Sequence, residues 1–133
     1  MEKTSEKRRR VGINGENAAC EYLLSKGYTI TERNFRITGG EIDIVARDGA
    51  YTVFTEVKSR SPGPSKRFGR ASDAVNYKKR LRFVTAVKAY QKMHPEAMKC
   101  RIDVIEVYFP REIDVSRAEI RHIKSAFGDI KRS

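Results

Sequence analysis

The strongest constraint on the fold of this chain is a β-hairpin signal in residues 41–58. Residues 41–46 alternate polar and apolar side chains, Asp48 and Gly49 supply a tight turn, and residues 51–58 alternate again. Two alternating runs on either side of an Asp-Gly pair are typical of antiparallel strands joined by a short turn. The segment therefore predicts two paired strands with a defined charged side.

The register of this hairpin decides which side chains share a face. A turn centred on Asp48-Gly49 pairs residue 43 with 54 and residue 41 with 56. One face then carries three carboxylates, an aromatic ring and a lysine: Glu41, Asp43, Phe54, Glu56 and Lys58. The other face is expected to meet the core: Ile42, Ile44, Val53, Thr55 and Val57. Asp43 and Glu56 become diagonal neighbours, with Cα atoms about 7–8 Å apart, so their side chains can hold one ion.

Carboxylates grouped on one patch of sheet repel one another, so the charged face needs an explanation. Oxygen ligands without His or Cys suit Mg²⁺ or Mn²⁺, and Mg²⁺ takes one or two carboxylates and keeps several waters. Lys58 follows Glu56 on the same face and can contact a bound water or a phosphate oxygen. These are the parts for metal-assisted phosphodiester hydrolysis. A solvated strand face with an ordinary Glu56–Lys58 pair explains the pattern equally well.

The remaining pattern predicts a mixed sheet covered by helices. The predicted elements are a helix over 14–26, strands over 28–35, 41–46 and 51–58, a helix over 72–93, and strands over 100–109 and 118–123. This order indicates an α/β or α+β fold. Residues 1–11, with three consecutive arginines, are expected to form a flexible basic arm, and residues 12–133 a single domain. The long helix has a second apolar stripe, which suits either further strands or a homodimer surface.

The charge of the chain indicates an anionic partner. There are 28 Lys and Arg residues against 17 Asp and Glu, a formal charge of +11. Such an excess attracts polyanions, with nucleic acid the first candidate. Between residues 58 and 82 there are nine basic residues and one acid, next to the charged face of the hairpin. We expect this segment to follow a phosphate backbone through Arg60, Lys66, Arg67, Arg70, Lys78, Lys79, Arg80 and Arg82.

Several other classes of protein are excluded by composition. The sequence has no run of about 18 apolar residues that would predict a membrane-spanning helix, and its first ten residues lack the apolar stretch of a secretory signal. Cys20 and Cys100 lie far apart with only His94 and His122 to accompany them, so neither a zinc site nor a disulfide framework is predicted. These features favour a cytoplasmic chain without membrane contact. Asp103, on a strand outside the hairpin, is expected to be structural.

Several spaced motifs together resemble the bacterial YraN family. The matching stretches are Gly12-x-x-Gly-Glu16, Gly27-Tyr28, Glu32-Arg-Asn34, residues 39–49, residues 54–60, Arg101-Ile-Asp-Val104 and residues 120–127. The YraN family is similar to the restriction-endonuclease-like superfamily, and most of all to archaeal Holliday junction resolvases. The resemblance therefore implies a restriction-endonuclease-like α/β core of order αβββαβ with a short last strand.

The resemblance also implies roles for particular residues. Asp43 matches the Asp of the superfamily motif, and Glu56-Val57-Lys58 matches its Glu-x-Lys; Ile42 stands where a Pro is common, but that Pro is not a metal ligand. Asp43, Glu56 and the Val57 carbonyl are thereby expected to bind Mg²⁺ or Mn²⁺, and Lys58 to activate water or steady the phosphate. Glu16 matches a Glu that joins the metal cluster in resolvase-like proteins. Helix geometry alone fits a first-turn Glu stabilised by the helix dipole equally well.

The expected function is that of a metal-dependent endonuclease that acts on nucleic acid, DNA before RNA, with branched DNA among the candidate substrates. The first rival is a non-catalytic nucleic-acid-binding module with the same fold and charge. A weaker rival is an assembly factor whose basic face binds an acidic protein.

Overall fold

The computed structural model describes residues 1–62 and 77–126. Its elements are α1 (Thr4–Ser25), β1 (Thr29–Ile37), β2 (Gly40–Asp48), β3 (Tyr51–Arg60), α2 (Tyr77–Met93), β4 (Lys99–Tyr108), a 3₁₀ turn (Val115–Arg117) and β5 (Glu119–Ile123). The expected start of the long helix, near residue 72, lies outside the described residues. Neither α1 nor α2 combines the length and the apolar character that crossing a bilayer requires.

The described strands form a mixed five-stranded sheet in the order β1-β2-β3-β4-β5. β3 and β4 are parallel, whereas the other neighbouring pairs are antiparallel. A parallel pair needs a long crossover between its strands, and the chain from β3 to β4 passes through α2. The predicted α/β class, with a mixed sheet covered by helices, is therefore confirmed.

Helices cover both faces of the sheet. On one face, α1 packs Leu23 and its neighbours against Ile44 and other strand residues. On the opposite face, α2 packs Phe83 and its neighbours against Val45 and Phe54. The expectation that Phe54 lies on the face away from the core is wrong, because α2 packs on that face as well and leaves Phe54 fully buried. A sheet covered on both sides carries apolar residues on both sides.

The hairpin register differs by two residues from the predicted one. Ile44 pairs with Thr55, and the pairs continue to Asp48 with Tyr51, so that Gly49 and Ala50 form the turn. Gly49 has φ +60, a left-handed conformation that glycine adopts without strain and that a two-residue hairpin turn requires. A shift of two residues keeps each side chain on its face.

The first helix begins at Thr4, ten residues before the predicted start, and includes most of the predicted arm. Lys, Arg and Glu are good helix formers, so the helix continues beyond the apolar pattern that marks its core side. Arg10 also binds Glu2 through two hydrogen bonds of 2.9 and 2.7 Å. Val11 is buried in the α1 core, so the helix is anchored within the segment that the sequence assigned to a flexible arm.

Candidate active site

The regular alternation of β2 is interrupted at Asp43. Ile42 belongs to the core under α2, whereas Ile44 belongs to the core under α1. Residues two apart on a regular strand point to the same face, so the strand changes its orientation between these two residues. The paired strand β1 has its own irregularity alongside, because Asn34 there adopts a left-handed backbone with φ 53. Both distortions lie where α1 approaches the sheet.

The carboxylate of Asp43 is held by the backbone of the next strand. Its Oδ2 accepts a hydrogen bond of 2.7 Å from the Val57 N–H. Burial raises the pKa of Asp43, and the charges of Glu16 and Glu56 raise it further, while the Val57 hydrogen bond and Lys79 oppose the shift. The ionised form of Asp43 is therefore disfavoured as the site stands, and a cation nearby would stabilise it.

Glu56 lies opposite Asp43 in the hairpin, one position beyond Ile44 and Thr55, the last pair of the β2–β3 ladder. It is only 1% exposed. Its Oε1 lies 3.0 Å from Lys58 Nζ and 4.0 Å from Lys79 Nζ. Its Oε2 is buried and has no hydrogen-bond partner in the described part of the chain. An unpartnered buried carboxylate oxygen is energetically costly, so Glu56 Oε2 is a candidate ligand atom.

Glu16 reaches the same region because α1 lies close to the end of β3. A Cβ atom on Gly15 would collide with the Ser59 side chain, whose Cβ would lie 2.7 Å away. This contact requires glycine and brings the following residue, Glu16, beside the hairpin. Glu16 Oε1 accepts hydrogen bonds from Arg33 Nε at 3.0 Å and from Asn34 Nδ2 at 2.9 Å.

Glu16 and Asp43 line an open pocket of about 880 Å³, and the buried Glu56 contacts Lys58 of the same lining. Among the described residues that line it, two are acidic, Glu16 and Asp43. Seven are basic: Arg8, Arg9, Arg33, Arg36, Lys58, Arg60 and Lys79. A concave surface with this excess of positive charge attracts anionic ligands, and the acids mark the part of it that would bind a cation.

The structure brings the four predicted catalytic residues into one region. Glu16, Asp43 and Lys58 line the pocket, while Glu56 lies buried beside Lys58. For Val57 the observed contact is made by its N–H, not by the carbonyl that the resemblance suggested as a ligand. Of the predicted nucleic-acid-binding residues, Arg60 and Lys79 line the pocket, and Lys78, Arg80 and Arg82 lie on α2 outside its lining. Lys66, Arg67 and Arg70 lie outside the described residues.

Several residues of this pocket are not predicted from the sequence. Arg8 and Arg9 were assigned to the arm, although the charge run continues into the first helix without a helix breaker. Arg33 and Asn34 lie in the motif Glu32-Arg-Asn34, which carries the family resemblance but does not by itself indicate a pocket. Arg36 carried no signal of its own, since its place in the pocket depends on how β1 pairs with β2.

The donor set suits a hard divalent cation but does not form a closed cage. In residues 1–62 and 77–126 there is no group of three or more His, Cys, Asp or Glu side chains positioned to hold a metal ion. Mg²⁺ needs fewer protein ligands, because it binds through one or two carboxylates and keeps several waters. The carboxylates of Asp43 and Glu56, with the unpartnered Oε2, fit that requirement.

Fold and site together define an α/β protein with a basic pocket that contains half-buried carboxylates. The model of the family described as "Uncharacterised protein family UPF0102" matches residues 15–107. The chain is 43% identical over 122 residues to a UPF0102 protein of Desulforamulus reducens, which covers 90% of this chain and 96% of the relative. It is 44% identical over 119 residues to a UPF0102 protein of Clostridium kluyveri, covering 88% and 93% of the two chains. The chain therefore belongs to the UPF0102 family, also called YraN, which confirms the resemblance seen in its motifs.

Proposed function

We propose that this protein binds nucleic acid and hydrolyses phosphodiester bonds with Mg²⁺ or Mn²⁺, on a restriction-endonuclease-like core. The observation that carries the proposal is that Glu16, Asp43 and Lys58 line one pocket with a basic lining, while the buried Glu56 contacts Lys58 beside it. DNA, including branched DNA, is the proposed substrate before RNA. The motif Asp43 with Glu56-x-Lys58, which resembles that of the superfamily nucleases, supports the same chemistry.

Binding is proposed to depend on the basic lining of the pocket. Arg8 and Arg9 belong to α1, whereas Lys79 belongs to α2 and Arg60 to β3. The basic side chains thus come from separate elements, and each can contact a phosphate on its own side of the pocket. A phosphate backbone would contact several of them at once, which predicts affinity that falls steeply with salt.

The metal would be held by Asp43 and Glu56, with Glu16 and the Val57 carbonyl as further ligands. When bound, a divalent cation supplies a Lewis acid and lowers the pKa of a coordinated water. The support is the oxygen-only donor set, the raised pKa of the Asp43 carboxyl through burial, and the unpartnered Glu56 Oε2. The repulsion among these carboxylates is the physical reason why a cation should bind there.

The protein's own groups have separate tasks in this proposal. The Val57 N–H fixes the orientation of the Asp43 carboxylate. Glu56 holds Lys58 at 3.0 Å, and the Lys58 side chain is only 12% exposed. A cationic group held in a fixed place beside a phosphate stabilises the negative charge that develops during hydrolysis. Lys58 is therefore assigned to the reaction and not to metal binding.

The test combines cleavage with metal binding. Duplex, branched and single-stranded nucleic acids are incubated with the protein in the presence and absence of Mn²⁺, and Mn²⁺ binding is measured by titration calorimetry. We expect Asp43→Asn to lose both metal binding and cleavage, and Lys58→Ala to lose only cleavage. Lys88→Ala is the matched control, because Lys88 is an exposed lysine on α2 outside the pocket lining. No binding heat at millimolar Mn²⁺ would contradict the nuclease proposal.

A second candidate is a nucleic-acid-binding module without catalysis. It is favoured by one observation, the absence of a three-ligand group from the described residues. This candidate predicts binding that needs no Mn²⁺. Reversing Arg9 and Lys79 to Glu should lower the slope of log affinity against log salt by roughly one unit per lost phosphate contact. Binding that is unaffected by these reversals would place the nucleic acid on another surface.

A further inference from the structure

Asn34 has an unusual backbone for a residue inside a β-strand. It lies within β1, yet its φ is 53, in the left-handed region that is uncommon for residues other than glycine and that asparagine adopts more readily than most. Strained conformations of this kind persist where the surrounding structure requires them, and they cluster at functional sites. The contacts of Asn34 and its neighbours show what holds this conformation.

The left-handed residue sends two consecutive side chains to the same carboxylate. Arg33 Nε and Asn34 Nδ2 both donate to Glu16 Oε1, at 3.0 and 2.9 Å. Arg33 Nη2 also donates to Asn17 Oδ1 on the same helix, at 2.8 Å. The next residue, Phe35, is buried on the opposite side of the sheet under α2. Consecutive side chains of a regular strand point to opposite faces, so only one of Arg33 and Asn34 could reach Glu16 without this distortion.

These contacts leave the two oxygens of Glu16 in different conditions. Oε1 receives two N–H donors, whereas no hydrogen bond to Oε2 is found within the described ranges. The Glu16 side chain is 14% exposed and lines the pocket together with Asp43. The negative charge of Glu16 contributes to raising the pKa of Asp43, so the two carboxylates are close enough to repel. Arg33 and Asn34 thus hold Glu16 in place against that repulsion.

We infer that Asn34 is a positioning residue for Glu16: it fixes one carboxylate oxygen so that the other is free to bind the divalent cation at Asp43. This inference rests on the proposed function, because it requires a cation in the pocket. Hydrogen-bonded partners of a metal ligand commonly change metal affinity when they are removed, even though they do not touch the metal.

The test is the affinity for Mn²⁺ alone, measured by titration calorimetry on Asn34→Gly. Glycine adopts a φ of 53 without strain, so this variant keeps the backbone distortion and loses only the amide donor. We expect the dissociation constant for Mn²⁺ to rise about tenfold. The thermal midpoint of the metal-free variant should stay the same or rise, which separates the effect from a loss of folding. In a Glu16→Gln background, Asn34→Gly should cause no further change, because the two residues act through one contact.

Ser125→Gly is the matched control. Ser125 also has a left-handed backbone, with φ 50, but its N–H donates to Asp103 instead of to a pocket residue. Glycine keeps that N–H, so the affinity for Mn²⁺ should not change. An unchanged affinity in Asn34→Gly, with binding lost in Asp43→Asn, would overturn the inference and leave the proposed function standing. The inference would also be overturned if Asn34→Gly lowered the affinity for Mn²⁺ equally in the Glu16→Gln background. No Mn²⁺ binding by the unaltered protein would overturn both.

Discussion

Two aspartates of the same sheet, the half-buried Asp43 on β2 and the fully buried Asp103 on β4, lie in opposite electrostatic conditions. Asp103 is 0% exposed and receives donors on both oxygens. His122 Nε2 lies 2.7 Å from its Oδ2, while Arg101 Nε at 3.1 Å and the Ser125 N–H at 3.0 Å bind its Oδ1. For Asp43, in contrast, the hydrogen bond found in the described part of the chain is the one from Val57.

The two pKa values shift in opposite directions for this reason. Burial raises the pKa of Asp103, but the hydrogen bonds from His122, Arg101 and Ser125 outweigh burial and hold that pKa below its ordinary value. Burial also raises the pKa of Asp43, and there the opposing hydrogen bond from Val57 is too little to reverse the shift. The number of donors, more than burial itself, separates a stabilised carboxylate from one that a ligand could stabilise.

The donors around Asp103 also connect distant elements. Arg101 binds Asp48 at 3.0 Å and the Tyr28 hydroxyl at 2.6 Å. His122 on β5 contacts the Tyr22 hydroxyl on α1 at 3.0 Å. Asp103 therefore holds α1, the hairpin and β5 together, which agrees with the structural role expected for it. Asp103 thus stabilises the fold, whereas ligand binding at Asp43 belongs to the proposed function, and the following variants test this distinction.

The largest expected effect is that of Asp103→Asn on folding. The change removes the fully buried carboxylate charge that pairs with Arg101 and leaves Arg101 with the more exposed Asp48, and breaking a buried ion pair typically costs about 3–5 kcal/mol. We expect a loss of this size in the free energy of unfolding, measured by urea denaturation. Asp43→Asn is the paired control and should show no loss in the absence of metal. Equal losses in the two variants would contradict the distinction between the two sites.

The next effect is the stabilisation by a divalent cation. A ligand that binds only the folded state at about 100 times its dissociation constant stabilises that state by about 2.7 kcal/mol. We expect Mn²⁺ to raise the melting temperature of the unaltered protein and of Lys58→Ala, and not that of Asp43→Asn or Glu56→Gln. Calorimetric scans with and without Mn²⁺ measure the effect. If Mn²⁺ still raised the melting temperature of Asp43→Asn, the metal would bind at a site other than Asp43.

A smaller effect is expected where α1 approaches β3. Gly15→Ala adds a Cβ that collides with the Ser59 side chain, and overpacking of this kind costs about 1–3 kcal/mol. Because Glu16 follows directly, the affinity for Mn²⁺ should fall as well, while the contacts of Asp103 should be unaffected. Ser59→Gly should restore both stability and Mn²⁺ affinity in the double variant, as urea denaturation and titration calorimetry would show. Failure of this rescue would indicate that another contact sets the position of α1.

The features that the sequence predicted correctly are those with local causes. Alternation and turn residues indicated the hairpin, and their period grouped Asp43 with Glu56 and Lys58. The register was wrong by two residues because Asp48-Gly49 and Gly49-Ala50 can each occupy the turn, and the choice depends on packing.

The features that the sequence could not predict depend on contacts between distant segments. Phe54 is buried because α2 covers its face of the sheet, which no pattern within the hairpin reveals. The left-handed conformation of Asn34 depends on how β1 pairs with β2 and on where α1 places Glu16. Arg8 and Arg9 line the pocket because the helix continues beyond its apolar pattern.

The smallest expected effect is the pH dependence that separates the two aspartates. The folded-state pKa of Asp43 is raised above its ordinary value of 3.8, so the folded protein holds this proton more tightly than the unfolded chain does. Stability therefore falls as the pH rises from the ordinary pKa through the raised pKa, and the loss is complete above the raised pKa. Metal-free Asp43→Asn should then be more stable than the unaltered protein at pH 7, by about 1 kcal/mol or less. This advantage should shrink as the pH is lowered towards 4.

Asp103 behaves in the opposite way, because its folded-state pKa is lowered. Its contribution to stability is present above the ordinary pKa of 3.8 and is lost as the pH falls below that value. Urea denaturation of the unaltered protein and of Asp43→Asn between pH 4 and pH 7 measures this difference in stability. A stability advantage of Asp43→Asn that grows on acidification would show that the Asp43 carboxylate is already stabilised in the folded protein.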